Sequence, residues 1–327
     1  MSEPAGAGMP SVRFAARRLN VCVLGGTGFV GSVLVARLAA AVHWVRVPTR
    51  VLDHGRHLTV LPTVELAVVN VHDARALGAS LEGMDAVVNL IGILDEHAGA
   101  RFARVHVELA RRLIEEARIA GVPRLLHVSA LGADPERAPS RYLRSKGRAE
   151  ALVRAAPLAA TIFRPSVIFG PGDSLTNRFL GLLKLGAGLL PLARANAKFA
   201  PVHVDDVAAA LMRALTDRTT IGRTYELCGP DVLTLAEIVR ATAAAAGAPC
   251  HILPLPDFLG RLEALLLGLA PGKPFSLDNF RSLSIDSVGR QNGLAELGIE
   301  PQRMTAVLPL YLGKAASAAH LRVPAAR

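Results

Sequence analysis

Cysteine, lysine, tyrosine and aromatic side chains are scarce in this chain of 327 residues, and several of these shortages close off a class of function. The 3 cysteines, Cys22, Cys228 and Cys250, are odd in number, far apart and set in apolar stretches. They exclude a disulfide framework and read as buried free thiols of a reducing compartment. The 10 histidines are scattered without ligand spacing, so no metal site is expected. Aromatic residues make up 4%, and the arginines behind the net charge of +10 are spread rather than stacked in one stripe. Few stacking platforms remain, which argues against nucleic-acid binding. The diffuse positive field still favours anionic partners, including dinucleotide phosphates and an anionic membrane surface. No apolar run is long enough to span a bilayer, because Lys184 interrupts residues 179–193 and Asp257, Arg261 and Glu263 interrupt residues 254–270. Residues 1–20 carry Arg13, Arg17 and Arg18 without an apolar core, so neither signal peptide nor anchor is expected. The chain reads as cytoplasmic, with peripheral contact on the inner face of the membrane left open.

What is present begins at residues 20–31, Asn-Val-Cys-Val-Leu-Gly-Gly-Thr-Gly-Phe-Val-Gly. Val21, Val23 and Leu24 make a buried strand, and Val30, Val33, Leu34 and Leu38 follow at helical spacing. Between them, Gly25 or Gly26 serves a tight turn, Gly28 admits a pyrophosphate, and Gly31 permits close helix packing, with the helix N-terminus supplying donors. Thr27, Phe29 and Val30 belong to the same expected cofactor loop.

Ser129 ends a second apolar run, Leu125 to Val128, and Tyr142-Leu-Arg-Ser-Lys146 follows. With only 3 tyrosines and 5 lysines in the chain, a Tyr-x-x-x-Lys pair is an uncommon coincidence. Four residues apart on a helix, the Lys146 ammonium would sit near the Tyr142 phenol and lower its pKa, making Tyr142 a proton donor or acceptor. Ser129, at the carboxyl end of a strand, would fix the substrate oxygen.

With these pieces the chain resembles the short-chain dehydrogenase/reductase superfamily, in its extended and atypical branch with Gly-x-x-Gly-x-x-Gly at Gly25, Gly28 and Gly31. Further segments carry the likeness: Asp85 to Gly92, Phe163 to Asp173, and Pro201 to Val207. A narrower resemblance, carried by Asn89 to Leu94, Phe102, Val105-His-Val107, Val128 to Asp134, Tyr142 to Lys146 and Leu277-Asp-Asn279, is to the family of the NAD(P)H-binding accessory subunit of respiratory complex I and its bacterial relatives. The resemblance implies a doubly wound α/β parallel sheet and a smaller, discontinuous C-terminal substrate lobe. The nucleotide domain is expected over residues 20–170 and about 201–228, the lobe over 171–200 and 229–312, and flexible segments at 1–19 and 313–327. It also implies Asn70, Val71, Leu90, Ile91, Gly92, Val128, Lys146, Arg164, Pro165, Ser166 and Val167 as cofactor contacts.

Cofactor choice turns on the end of the second strand, where Thr49 and Arg50 stand in place of an acidic residue, so NADP(H) is expected over NAD(H). The expected reaction is hydride transfer to a carbonyl or quinone-like, apolar acceptor. The alternatives are a non-catalytic NADPH-bound subunit of a respiratory complex and a sugar-nucleotide epimerase or dehydratase, against whose polar substrate the apolar lobe argues. Phe179, Leu182, Leu183, Leu189 and Leu190 read as core or as contacts for an apolar guest. Phe258, Leu259, Leu262, Leu265, Leu266 and Leu269 repeat at helical spacing. That face either packs on the lobe or serves as a lid or interfacial helix.

Overall fold

The computed structural model describes residues 18–97, 99–269 and 275–313, so the segments expected to be flexible lie outside it except for residues 18, 19 and 313. Strands and helices alternate through the first half: β1 (Asn20–Leu24), α1 (Phe29–Ala40), β2 (Trp44–Thr49), β3 (Val64–Val68), α2 (Ala74–Leu81), β4 (Ala86–Asn89), α3 (Leu109–Ile119), β5 (Arg124–Val128), α4 (Arg141–Ala155) and β6 (Ala159–Pro165). Then come β7 (Ile168–Phe169), α5 (Ser174–Leu185), β8 (Leu189–Ala193), β9 (Lys198–Phe199), β10 (Val202–His203), α6 (Val204–Thr216), β11 (Thr224–Leu227), β12 (Leu233–Thr234) and α7 (Leu235–Ala246). The chain continues with β13 (His251–Leu255), α8 (Asp257–Leu269), α9 (Leu277–Ser282), α10 (Gly293–Glu296) and α11 (Met304–Leu312).

One parallel, seven-stranded sheet runs in the order β11-β6-β5-β4-β1-β2-β3. Its central strands are apolar along their length because both faces are covered. Val21 and Val23 of β1 pack with Leu34, Leu38, Val207 and Leu211 of α1 and α6, while Cys22 and Leu24 pack on the opposite side with Leu77, Leu81, Leu109 and Leu113 of α2 and α3. β11 pairs with β6 at the edge of this sheet. Buried Arg124 ties that edge together, donating to the Thr161 and Thr220 hydroxyls and to the Ala214 carbonyl.

The strand order reverses between β1 and β4, which places a crevice beyond their carboxyl ends. The smaller lobe has a core of its own in Phe179, Leu183, Leu190, Leu192, Leu235 and Val239. Phe179, Leu183 and Leu190 are therefore core of the lobe, Leu182 packs against it half-buried, and Leu189 is exposed. Cys22 and Cys228 are buried free thiols, and Cys250 is half-buried.

Candidate functional site

The glycine turn after β1 is a cradle that side chains would fill. A Cβ on Gly26 would lie 2.7 Å from Val47, and one on Gly31 would lie 2.1 Å from the Gly25 carbonyl oxygen. Gly25 adopts φ +80°, in the left-handed region, and a Cβ there would meet the Leu90 and Ile91 backbone at 3.2 Å. Helix α1 starts from Gly28 with no side-chain cap and no acidic residue in its first turn, so its leading N–H groups and positive end face the turn. This arrangement fits a dinucleotide pyrophosphate. Gly25, Gly26, Gly28 and Gly31 would hold it, with Thr27, Phe29 and Val30 on the same turn.

The loop after β4 links the cradle to the candidate catalytic group. A Cβ on Gly92 would come within 3.0 Å of Lys146 Nζ and 3.5 Å of His106 Nε2. Lys146 in turn donates to the Val128 carbonyl at 3.1 Å. Gly25, Leu90, Ile91, Gly92, Lys146 and Val128, all expected on the cofactor side, thus form one continuous neighbourhood. Burial lowers the Lys146 pKa to about 8, so the ammonium is still mostly charged at neutral pH.

Two histidines complete this neighbourhood, and hydrogen bonding fixes their tautomers. His106 Nε2 accepts from the Ile93 N–H at 3.1 Å, so its proton is on Nδ1, which donates to Ser145 Oγ at 2.7 Å. Ser145 Oγ donates onward to the Tyr142 carbonyl at 2.7 Å. Asn89 Oδ1 accepts from the Ile91 N–H, so Asn89 Nδ2 donates to His127 Nδ1 at 3.2 Å and the His127 proton is on Nε2. Burial, reinforced by the Lys146 charge, holds His106 neutral with a pKa of about 2 and His127 neutral with a pKa of about 3. The site accommodates one positive charge, on Lys146. His106 Nδ1 and Nε2 are both engaged, whereas His127 Nε2 is buried with no hydrogen-bond partner among the described residues.

Tyr142 sits in an aromatic corner, with ring centroids 5.9 Å from Phe102 and 5.8 Å from His106. Burial pushes its phenol up to about 12. The lowering expected from Lys146 is not found: burial, which disfavours the phenolate, is the cause of the shift. Ser129 is buried just beyond β5, and its hydroxyl has no hydrogen-bond partner among the described residues. A buried hydroxyl in that condition is costly unless a ligand completes it.

The lobe clamps the helix that carries Tyr142 and Lys146. Ser140 caps α4 by accepting from the Leu143 N–H, and the Asp278 carboxylate of α9 accepts from the Arg141 and Tyr142 N–H groups at 2.8 and 2.9 Å. Ser276 and Asn279 bond the loop after β4 through Asp95 and the Leu94 carbonyl, and Glu96 pairs with Arg141 at 3.0 Å. Beside this clamp lies a cleft of about 340 Å³ lined by Phe102, Arg141, Asp278 and Arg281 on one wall and Ala264, Leu265, Gly268 and Leu269 of α8 on the other.

Several of the expected cofactor residues also make bonds within the protein. The Arg164 guanidinium makes two bonds to the buried Glu150 carboxylate, at 2.9 and 2.7 Å, and one to the Ala133 carbonyl. Ser166 Oγ donates to the Ser287 carbonyl, and Pro165 and Val167 use their carbonyls to accept from Leu131 and Val202. Arg50 and Asn70 are exposed at the ends of β2 and β3, and Val71 is buried against α2. His127 escaped the sequence reading because it hides inside an apolar strand, and Leu277-Asp-Asn279 was noted there without a role for Asp278, because that role depends on an approach across 136 residues. Among the described residues no group of histidine, cysteine or carboxylate side chains is placed to hold a metal ion, and no helix is long and apolar enough to cross a membrane.

Comparison with known proteins agrees with this geometry. A profile of the NAD dependent epimerase/dehydratase family matches residues 21–228, from β1 through β11. The chain is 34% identical over 304 residues to "NADH dehydrogenase [ubiquinone] 1 alpha subcomplex subunit 9, mitochondrial" of Arabidopsis thaliana, covering 86% of this chain and 74% of that protein. It is 36% identical to a ceramide reductase of Caulobacter vibrioides, covering 72% of this chain and 74% of that one. The crystal structure of an NADPH-dependent quinone oxidoreductase from Escherichia coli, complexed with NADPH, superposes with a TM-score of 0.71 at 17% identity, covering 92% and 99% of the two chains, a likeness of fold. The parallel sheet, its glycine cradle and these matches together establish that the chain belongs to the NAD dependent epimerase/dehydratase family of NAD(P)-binding Rossmann proteins.

Proposed function

We propose that the protein is an NAD(P)H-dependent reductase acting on a carbonyl or quinone-like group of an apolar substrate, with NADP(H) the preferred cofactor. The observation that carries this reading is the unpartnered, buried Ser129 hydroxyl at the end of β5, in a site that also keeps an intact Tyr142 and a charged, buried Lys146. When bound, the reduced nicotinamide supplies a hydride. Tyr142, neutral below about pH 12, donates its proton to the substrate oxygen, and Ser129 donates a hydrogen bond to the same oxygen. Lys146 holds the positive charge beside the Gly92 loop, orients the ribose side of the cofactor, and favours the phenolate left after proton transfer. Exposed Arg50 supports the NADP(H) preference, since a cation there would accept a 2′-phosphate. The leucines of α8 lining the cleft support an apolar substrate.

Single-turnover oxidation of protein-bound NADPH, followed by nicotinamide absorbance on addition of a short-chain quinone, tests the reading. The wild type should turn over, and Tyr142→Phe should be slower by about a hundredfold or more with NADPH affinity kept. Equal rates in the two proteins would refute the role of Tyr142. A second reading is favoured by one feature of the site: the phenol is pushed up rather than down. In it the nucleotide is a folding ligand of an accessory subunit associated with a respiratory complex at the inner face of the membrane, as the name of the Arabidopsis relative would suggest. NADPH that neither exchanges nor oxidises with quinone or carbonyl acceptors would favour it.

A further inference from the structure

Helix α8 buries little of itself. Gly260 and Ala264 face the molecule, packed with Ala193 and Phe280, while Phe258, Leu259, Leu262, Leu265, Leu266 and Leu269 are exposed, Leu269 at 81%. The expectation that this face packs on the lobe is therefore not met. Phe258, Leu262, Leu265 and Leu269 follow one stripe, and their side chains carry no polar atom. A protein partner of ordinary chemistry would find nothing along that stripe to hydrogen-bond, and leucine is sparse among the residues that dominate protein interfaces.

The charges around the stripe point the same way. Of the three charged residues in α8, Asp257 is paired with Arg194 at 2.9 Å, and Glu263 lies on the inner side, where burial raises its pKa. Arg261 is left on the exposed flank, between Phe258 and Leu265, and Arg281 stands exposed across the cleft. With one arginine on the flank of the apolar stripe, a second across the cleft and a net charge of +10, this side of the chain is complementary to an anionic lipid surface, while the cleft's carboxylates Asp95, Glu96 and Asp278 are engaged by Ser276, Arg141 and the N–H groups of α4. A helix of 13 residues is about 20 Å long, too short to cross a bilayer but able to lie in its interface.

The same helix forms one wall of the cleft whose far wall is Phe102, the ring beside Tyr142. We propose that α8 seats the protein on an anionic bilayer, leucine stripe down, so that the cleft between α8 and α9 opens onto the lipid and receives its apolar substrate from there. The delivery half of this proposal rests on the reductase reading above. The seating half does not, because it is read from binding without turnover.

The test uses the full chain in flotation with vesicles of phosphatidylcholine alone and of phosphatidylcholine with phosphatidylglycerol. Binding is expected on the mixed vesicles. A Leu262→Asp, Leu266→Asp variant should lose about tenfold or more of it, while keeping its melting temperature and NADPH binding. Arg261→Glu should lose about tenfold on anionic vesicles only. Phe258→Trp should be quenched by brominated lipid, above the background of the native Trp44. No flotation of the wild type, or equal flotation of the leucine variant, would overturn the proposal. So would a concentration-dependent dimer in lipid-free solution that the leucine variant abolishes, since the face would then belong to a second copy. Vesicle binding without NADPH oxidation in any lipid would leave the seating intact and remove the delivery half together with the reductase reading.

Discussion

Replacing Lys146 with methionine should make the protein more stable at neutral pH and leave it unable to work. Lys146 is 5% exposed, and burial lowers its pKa from 10.5 to about 8. At pH 7 the side chain is protonated in both the folded and the unfolded chain, so the folded state bears the whole desolvation penalty. A depression of that size corresponds to an upper bound of about 3 kcal/mol, and loss of the bond to the Val128 carbonyl returns about 1 kcal/mol, leaving a gain of about 1–2 kcal/mol for Lys146→Met. The sign also fixes the pH dependence. Between about pH 8 and pH 10.5 the unfolded chain binds more protons at this position than the folded one, so wild-type stability rises with pH through that window. The advantage of the methionine variant should therefore shrink as pH rises from 7 to about 10. Urea unfolding of both proteins at several pH values measures the difference, and titrations elsewhere in the chain cancel. A variant less stable at pH 7, or an advantage that does not change with pH, would refute the view that a charge is held in this site against its own solvation. Loss of function alongside gained stability is the signature of a group kept for chemistry.

Further predictions follow from the same geometry. His106→Gln should weaken the fall in stability between about pH 6 and pH 5 by roughly one proton, about 1.4 kcal/mol per pH unit, because His106 stays neutral in the fold while its unfolded counterpart, with a pKa near 6.5, takes up a proton; denaturant unfolding across that range reads it, and an unchanged slope would count against the neutral histidine. Gly31→Ala, whose Cβ would meet the Gly25 carbonyl oxygen at 2.1 Å, should cost about 1–3 kcal/mol and abolish nucleotide binding, measured by melting and by nicotinamide fluorescence. Arg50→Asp should lower the NADPH to NADH affinity ratio about tenfold or more, and an unchanged ratio would remove the NADP(H) assignment. Asp278→Ala should cost about 1–3 kcal/mol by freeing the Arg141 and Tyr142 N–H groups, and should slow turnover more than it weakens NADPH binding, since the loss falls on the first turn of α4.

What could be read from the sequence was whatever is local in the chain. The glycine turn declares itself because a strand, a turn without room for Cβ atoms and a helix start lie within residues 20–31, and each demand falls on a neighbouring residue. Tyr142 and Lys146 were legible because a helix converts a spacing of four into a shared face. The electrostatics was not legible. The expectation that Lys146 lowers the Tyr142 pKa considered two residues, whereas burial by surrounding elements raises that pKa and leaves His127, an apparently ordinary strand residue, as part of the same one-charge site. Arg164 shows the same limit, because the Glu150 carboxylate that pairs with its guanidinium arrives from α4 and is invisible along the strand.

The exposed stripe of α8 shows why periodicity alone left its purpose open. An apolar face at helical spacing says only that the face must leave water, not what will cover it. Among the described residues the contact with the lobe is already filled by Gly260 and Ala264, small residues that let α8 settle onto Ala193 and Phe280. A Cβ on Gly260 would stand 2.8 Å from Ala193 and 2.9 Å from Phe280, so the inner face is fixed by a close fit and α8 cannot roll to bury its leucines without breaking it. The two faces of α8 thus differ in kind: the glycine face locks the helix against the clamp that holds Tyr142, and the leucine face is left uncovered among the described residues.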